Sequence, residues 1–188
     1  MIARNSIKTL IGIMMLGMVP FANAGLYKAV AYLDYAQEVS PSNPLPSSAM
    51  GYASLVFDSD TLTLDMVATI QGIALAGVTF PDGGLAFGVL GPFHIHNAPA
   101  GANGGVVVPF NMMSYFTGAV DGLMVQADDI AFDASILTEL VAGNLYLNLH
   151  TLDYGSGEIR GQLSVVPAPA AVGLLALGIF GLMRLRSH

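Results

Sequence analysis

The chain has 188 residues, 54% of them hydrophobic, and a formal net charge of −7. Only 10% are charged, against about 25% in an ordinary soluble domain. Four of the six basic residues, Arg4, Lys8, Arg184 and Arg186, sit near the two ends, whereas all thirteen acidic residues lie between Asp34 and Glu158. The body therefore lacks the basic face that nucleic-acid binding needs. The absence of cysteine excludes disulfides, thiolate zinc sites, iron–sulfur clusters and cysteine nucleophiles together.

Residues 1–24 have the three parts of a secretory signal peptide. Arg4 and Lys8 form the basic region, Leu10 to Val19 the apolar run, and Ala22-Asn23-Ala24 the small-residue cleavage site. The apolar run is shorter than the roughly 20 residues a spanning helix needs. The mature chain is expected to begin at Gly25, outside the cytoplasm.

Residues 25–166 are expected to form one all-β domain. Between Thr61 and Ile70, Leu62, Leu64, Met66, Ala68 and Ile70 alternate with a more polar set, the signature of a half-buried strand. Similar segments run from Tyr27 to Leu33, Gly51 to Phe57, Phe93 to His96, Val106 to Phe110, Leu145 to His150 and Glu158 to Val165. Turn clusters separate them, among them Asp58-Ser59-Asp60, Pro81-Asp82-Gly83-Gly84 and Gly155-Ser156-Gly157. One segment has a helical period: Ile136, Leu137, Leu140 and Val141 share a face, with Asp133 as N-cap and Gly143 as terminator. Many short strands and one short helix predict an antiparallel β sandwich or Greek-key barrel.

The chemistry of the body gathers on His94, His96 and His150. His94 and His96 are two apart on a predicted strand, with Cα atoms roughly 6.6 Å apart on one face. In the segment ending at His150, three leucines share one face and Tyr146, Asn148 and His150 the other. Three imidazoles suit copper or zinc with an open coordination position. No carboxylate or cysteine stands in ligand spacing, so sequence alone favours histidines hydrogen-bonded to Gly-rich loops, with the metal site as the alternative. Glu158 and Arg160 are expected to serve structure rather than catalysis, Arg160 holding an internal carboxylate such as Glu158 or Glu38. No nucleophile elbow or phosphate loop occurs, and the chain is not expected to be an enzyme.

Two stretches, FHIHNAPAGANGGVV and GNLYLNLHTLDYGSGEIRGQL, resemble the CHRD domain. The opening Leu33-Asp34-Tyr35-Ala36-Gln37-Glu38-Val39-x-Pro41 and Gly51 fit the same domain, so the resemblance spans Leu26 to Val165. It is carried by His94, His96, Asn148, His150, Thr151, Gly157, Glu158, Arg160 and Gly161. In chordin the domain belongs to an extracellular growth-factor-binding protein, which implies binding rather than turnover. A fainter similarity is to copper/zinc superoxide dismutase, whose H-x-H copper ligands His94 and His96 match. Lacking cysteine and the full bimetallic ligand set, the chain shares at most that architecture.

The last 23 residues follow the order of a sorting signal. Val166-Pro167-Ala168-Pro169 precedes an uncharged apolar segment ending at Met183, and Arg184 and Arg186 follow. Pro167 to Met183 is 17 residues, at the lower limit for a hydrocarbon core of about 30 Å. The basic tail favours the cytoplasmic side. This ending resembles the PEP-CTERM signals that exosortases process, in the V-P-x-P-A-A-V variant, with Ala168 where the namesake motif has Glu. A permanent membrane helix with a Pro hinge is the alternative. The sequence thus describes a signal peptide (1–24), a CHRD-like domain (25–166) and a sorting segment (167–188). It predicts a non-catalytic module at the cell surface, associated with exopolysaccharide or an extracellular protein. Its implied partners are an exosortase-type enzyme and the inner membrane, and no cofactor is expected unless copper or zinc binds.

Overall fold

A computed structural model describes residues 25–39, 41 and 45–167. The expected signal peptide, the apolar tail, Ala168, Pro169, Arg184 and Arg186 lie outside the described residues. The strands are β1 (Leu26–Asp34), β2 (Met50–Asp58), β3 (Thr63–Gln71), β4 (Phe93–Asn97), β5 (Gly105–Phe110), β6 (Phe116–Ala119) and β7 (Gly122–Ala131). Helix α1 (Ser135–Ala142) then leads to β8 (Leu145–Leu149), β9 (Ile159–Gln162) and β10 (Ser164–Val165). All described pairings are antiparallel. One sheet runs in the order β5-β4-β8-β9-β1-β2-β3-β7-β6, with β10 also on β1. Among the described residues no helix is long and apolar enough to cross a membrane.

The core shows why the sheet curls. Phe93, Phe110, Leu147 and Leu149 from one end pack in the same buried cluster as Leu64, Met66, Val125 and Ala127 from the other. Between them β1 and β2 present alanines, with Ala31 paired to Ala53, leaving room for the larger side chains to meet. Strict alternation in β3 buries Leu64, Met66, Ala68 and Ile70, as the sequence predicts. Leu62 differs. It has φ 56° and belongs to the turn in which Asp58 accepts from the amides of Asp60 and Thr61, and it packs against the core only in part.

The longest described strand, β7, is not among the segments the sequence predicts, although Leu123, Val125 and Ala127 alternate inward along it. A register shift opposite Asp65 interrupts its pairing with β3. There Asp129, at φ 56°, donates its amide to the Asp65 carboxylate. Helix α1 lies where expected and ends on Gly143 at φ 74°. Its cap position is Ala134, one residue beyond the expected Asp133, whose carboxylate instead accepts from the Ser135 amide. Ile136 and Leu140 are buried, but Val141 is 65% exposed, so the apolar stripe is narrower than the sequence suggests.

That difference sets a test. Leu140→Ala should destabilise by about 2–5 kcal/mol, whereas Val141→Ala should stay within about 0.5 kcal/mol. Urea midpoints of the two variants compare them directly.

Candidate metal centre

Strand β4 lies between β5 and β8, and its register sets His94 opposite Asn148 and His96 opposite Tyr146. His150 follows β8 directly, and its amide donates to the Pro92 carbonyl at 2.7 Å, which draws it back toward β4. The three rings meet. Centroids are 4.7 Å apart for His94 and His150, 5.1 Å for His94 and His96, and 6.1 Å for His96 and His150. Each ring has a nitrogen within 4.8 Å of the corresponding nitrogens of the others.

Backbone carbonyls fix the protons. His94 Nε2 donates to Gly91 at 2.8 Å, His96 Nδ1 to Gly104 at 2.9 Å, and His150 Nδ1 to Gly155 at 2.9 Å. A carbonyl only accepts, so in each neutral ring the proton is on that nitrogen and the other nitrogen carries a lone pair. His94 Nδ1 and His96 Nε2, both acceptors, then face each other at 3.1 Å. His150 Nε2 is buried with no hydrogen-bond partner. Two lone pairs thus face each other with no proton between them, and the third, on His150, is buried without a partner.

A proton on one ring is an unfavourable remedy. Burial, then the neighbouring His150 and His96, push His94 down to about 3 against the raising effect of the Gly91 carbonyl. Burial also lowers His96, opposed by the Gly104 carbonyl and reinforced by Arg160. It lowers His150 too, against the Gly155 carbonyl, with His96 adding to the shift. The rings are therefore mostly neutral at neutral pH, the form in which imidazole can ligate. Imidazoles whose second nitrogen donates to a carbonyl have the outer-shell arrangement of metal ligands.

Two glycines make this approach possible. At Gly104 a Cβ would collide with the Asn97 carbonyl, and at Gly91, where φ is 69°, with the Phe110 carbonyl. A β-bulge between Ile95 and His96 in the pairing with β5 adjoins the same spot. Phe87, itself at φ 67°, sets its ring 5.4 Å from His150.

Beside the histidines lies a buried polar cluster. Tyr146 stacks on His96 with centroids 4.8 Å apart and planes 10° apart. The Arg160 guanidinium covers the other part of the stack, 3.4 Å from the Tyr146 centroid. Arg160 is 1% exposed; it donates to Asn103 Oδ1 at 3.2 Å and the Pro99 carbonyl at 3.3 Å. The Glu158 carboxylate accepts from the Ser47 and Thr151 hydroxyls, both at 2.6 Å. Of the two carboxylates suggested for Arg160, Glu38 feels its charge. Asn148 is buried, with its side chain hydrogen-bonded to Glu38 and its Oδ1 lacking a partner. Val166 and Pro167 are exposed where the chain leaves β10.

The sequence does not mark Tyr146 or the carbonyls of Gly91, Gly104 and Gly155 as site components. Alternation puts Tyr146 on the histidine face, but a backbone acceptor has no residue signature. A separate groove of about 690 Å³, lined in part by Tyr32, Tyr52, Gln71 and Met124, includes no histidine.

Fold and site define a small antiparallel β domain with a histidine nest under Gly-rich loops. Residues 29–163 match the CHRD domain family, and the chain belongs to it. Comparison with curated proteins and with solved structures gives no match. Family membership points to a binding or structural module.

The polar cluster has a measurable pH signature. Burial pushes Glu38 up from 4.5 to about 7, against the lowering effects of Arg160, the Asn148 amide and the Val39 backbone. Because the folded value lies above the unfolded one, the native state holds this proton more tightly. Its contribution is complete below about 4.5 and is lost as pH rises through about 7. Glu38→Gln removes that titration and leaves the histidines, which act in the opposite sense. Between pH 4.5 and 7.5 the variant should gain stability relative to wild type in urea unfolding. A difference that is flat with pH would refute the buried-carboxyl assignment.

Proposed function

We propose that the protein is an extracytoplasmic, non-catalytic metal-binding module holding one copper or zinc ion on His94, His96 and His150. The observation that carries it is that the three imidazoles each offer a nitrogen within 4.8 Å of the others, while each ring's proton is directed to a backbone carbonyl. Hydrogen bonds to the glycine loops, as the sequence favours, account for three of the six ring nitrogens. A cation would engage the other three. The 3.1 Å between His94 Nδ1 and His96 Nε2 is close to the roughly 3.3 Å between two nitrogen ligands of one tetrahedral ion, each 2.0–2.1 Å from it.

Metal analysis of untagged protein should find about one equivalent of copper or zinc, lost in His96→Ala. Metal at about 1,000 times its Kd should stabilise the wild type by about 4 kcal/mol, and a chelator should reverse this. Metal-free protein whose melting is indifferent to copper and zinc would leave the histidines with a structural role only.

The same module is proposed to be exported by its N-terminal signal and delivered to the surface by an exosortase-type system acting on the Val166-Pro167-Ala168-Pro169 segment. The exposed exit of Val166 and Pro167 from β10 supports this, since a processing enzyme needs an accessible site. A superoxide-dismutase-like sandwich and a partner such as exopolysaccharide belong to the same proposal. The partner is supported by Tyr32, 70% exposed, and Tyr52, whose rings lie 5.1 Å apart on the groove. In a host with an exosortase, the intact mass of the surface form should begin at Gly25 and end near Pro169. A surface form retaining Arg184 and Arg186 would indicate a permanent anchor.

A further inference from the structure

Resting on metal binding by the three histidines, we propose that the centre selects copper(I) over copper(II) and zinc(II), and that Arg160, acting through Tyr146, sets this selectivity. The argument is one of charge. Among the described residues the converging donor set is three imidazoles with no carboxylate in it, so the ligands bring no negative charge. His94 is 4% and His96 9% exposed. Burying an ion in such surroundings costs an amount that grows with the square of its charge, and neutral ligands offset less of it than anionic ones. A divalent ion is penalised far more than a monovalent one.

Arg160 adds to the difference. Its hydrogen bonds run to a neutral carbonyl and a neutral side-chain amide, and its guanidinium lies one phenol ring away from His96. Glu38 faces the same guanidinium, but burial keeps that carboxyl protonated more readily than an exposed one, so it compensates only in part. Glu158 is turned to Ser47 and Thr151. The unbalanced positive charge repels a divalent ion twice as strongly as a monovalent one. Ligand number is compatible with this: copper(I) is satisfied by three nitrogens, whereas zinc(II) takes a fourth ligand such as water, so the discrimination rests on charge.

Arg160 is thus a positioning and selectivity residue rather than a ligand, and its test must separate charge from folding. Full-length untagged protein is titrated anaerobically with copper(I) against a chromogenic competitor, and in parallel with copper(II) and zinc(II). The wild type should keep copper(I) against a large excess of zinc(II). Arg160→Gln should lower the ratio of copper(I) to copper(II) affinity about tenfold, equivalent to ~59 mV in a one-electron potential. Arg160→Lys, which keeps the charge, should stay near the wild-type ratio. Equal ratios in wild type and Arg160→Gln overturn the role of Arg160, and displacement of copper(I) by zinc(II) from the wild type overturns the selectivity. If Arg160→Gln does not fold, the wild-type competition alone decides. Zinc(II) binding without copper(I) preference defeats only the selectivity, whereas failure of all three ions to bind removes the three-histidine site as well.

Discussion

Strand β8 is buried on both faces, and the rest of the molecule is arranged around that constraint. Its leucines at 145, 147 and 149 enter the apolar core, while Tyr146 and Asn148 point the other way and are also buried. A half-buried sheet would leave that second face to water. Here loops cover it, and loops bring backbone groups that must find partners. Gln162 donates to the carbonyls of Ala98 and Gly143, Tyr146 accepts from the Gly104 amide, and Asn103 donates to Val39. The outcome is a second core, built of polar groups.

This polar core explains why the histidines are held so firmly. Each imidazole proton goes to a carbonyl of a glycine, at Gly91, Gly104 and Gly155, and so the opposite nitrogens turn inward. The loops and the rings satisfy each other. A hydrogen-bonding network of this kind is costly if left incomplete, and the unpartnered His150 Nε2 marks where it is incomplete. The proposed metal would complete it.

Arg160 ties the two halves of the covered face together. It reaches the loop at Pro99 and Asn103 while lying against Tyr146, which in turn stacks on His96. Removing it would disturb packing as well as charge, because a buried guanidinium contributes both. Glu158, two residues away, anchors the neighbouring loops through Ser47 and Thr151 instead. Strand β9 and the residue just before it therefore stabilise two different loop groups from adjoining positions.

The sequence by itself determined the alternation that makes the strands, the short helix before β8, and the pairing of His94 with His96 on one face. Period-2 patterning is local and survives any tertiary arrangement. It also placed Tyr146 and Asn148 on the side of His150, since those residues alternate with leucines. It did not identify β7, where the paired acids Asp128 and Asp129 mask the alternation at a bulge, or the exposure of Val141, which depends on how much of α1 the sheet covers. Only the tertiary structure decided that β8 lies beside β4, which brings His150 to the other two histidines across more than fifty residues of chain. It alone decided the tautomers as well, because those depend on where three glycine carbonyls fall, and a carbonyl is present at every residue and is distinguished by position alone.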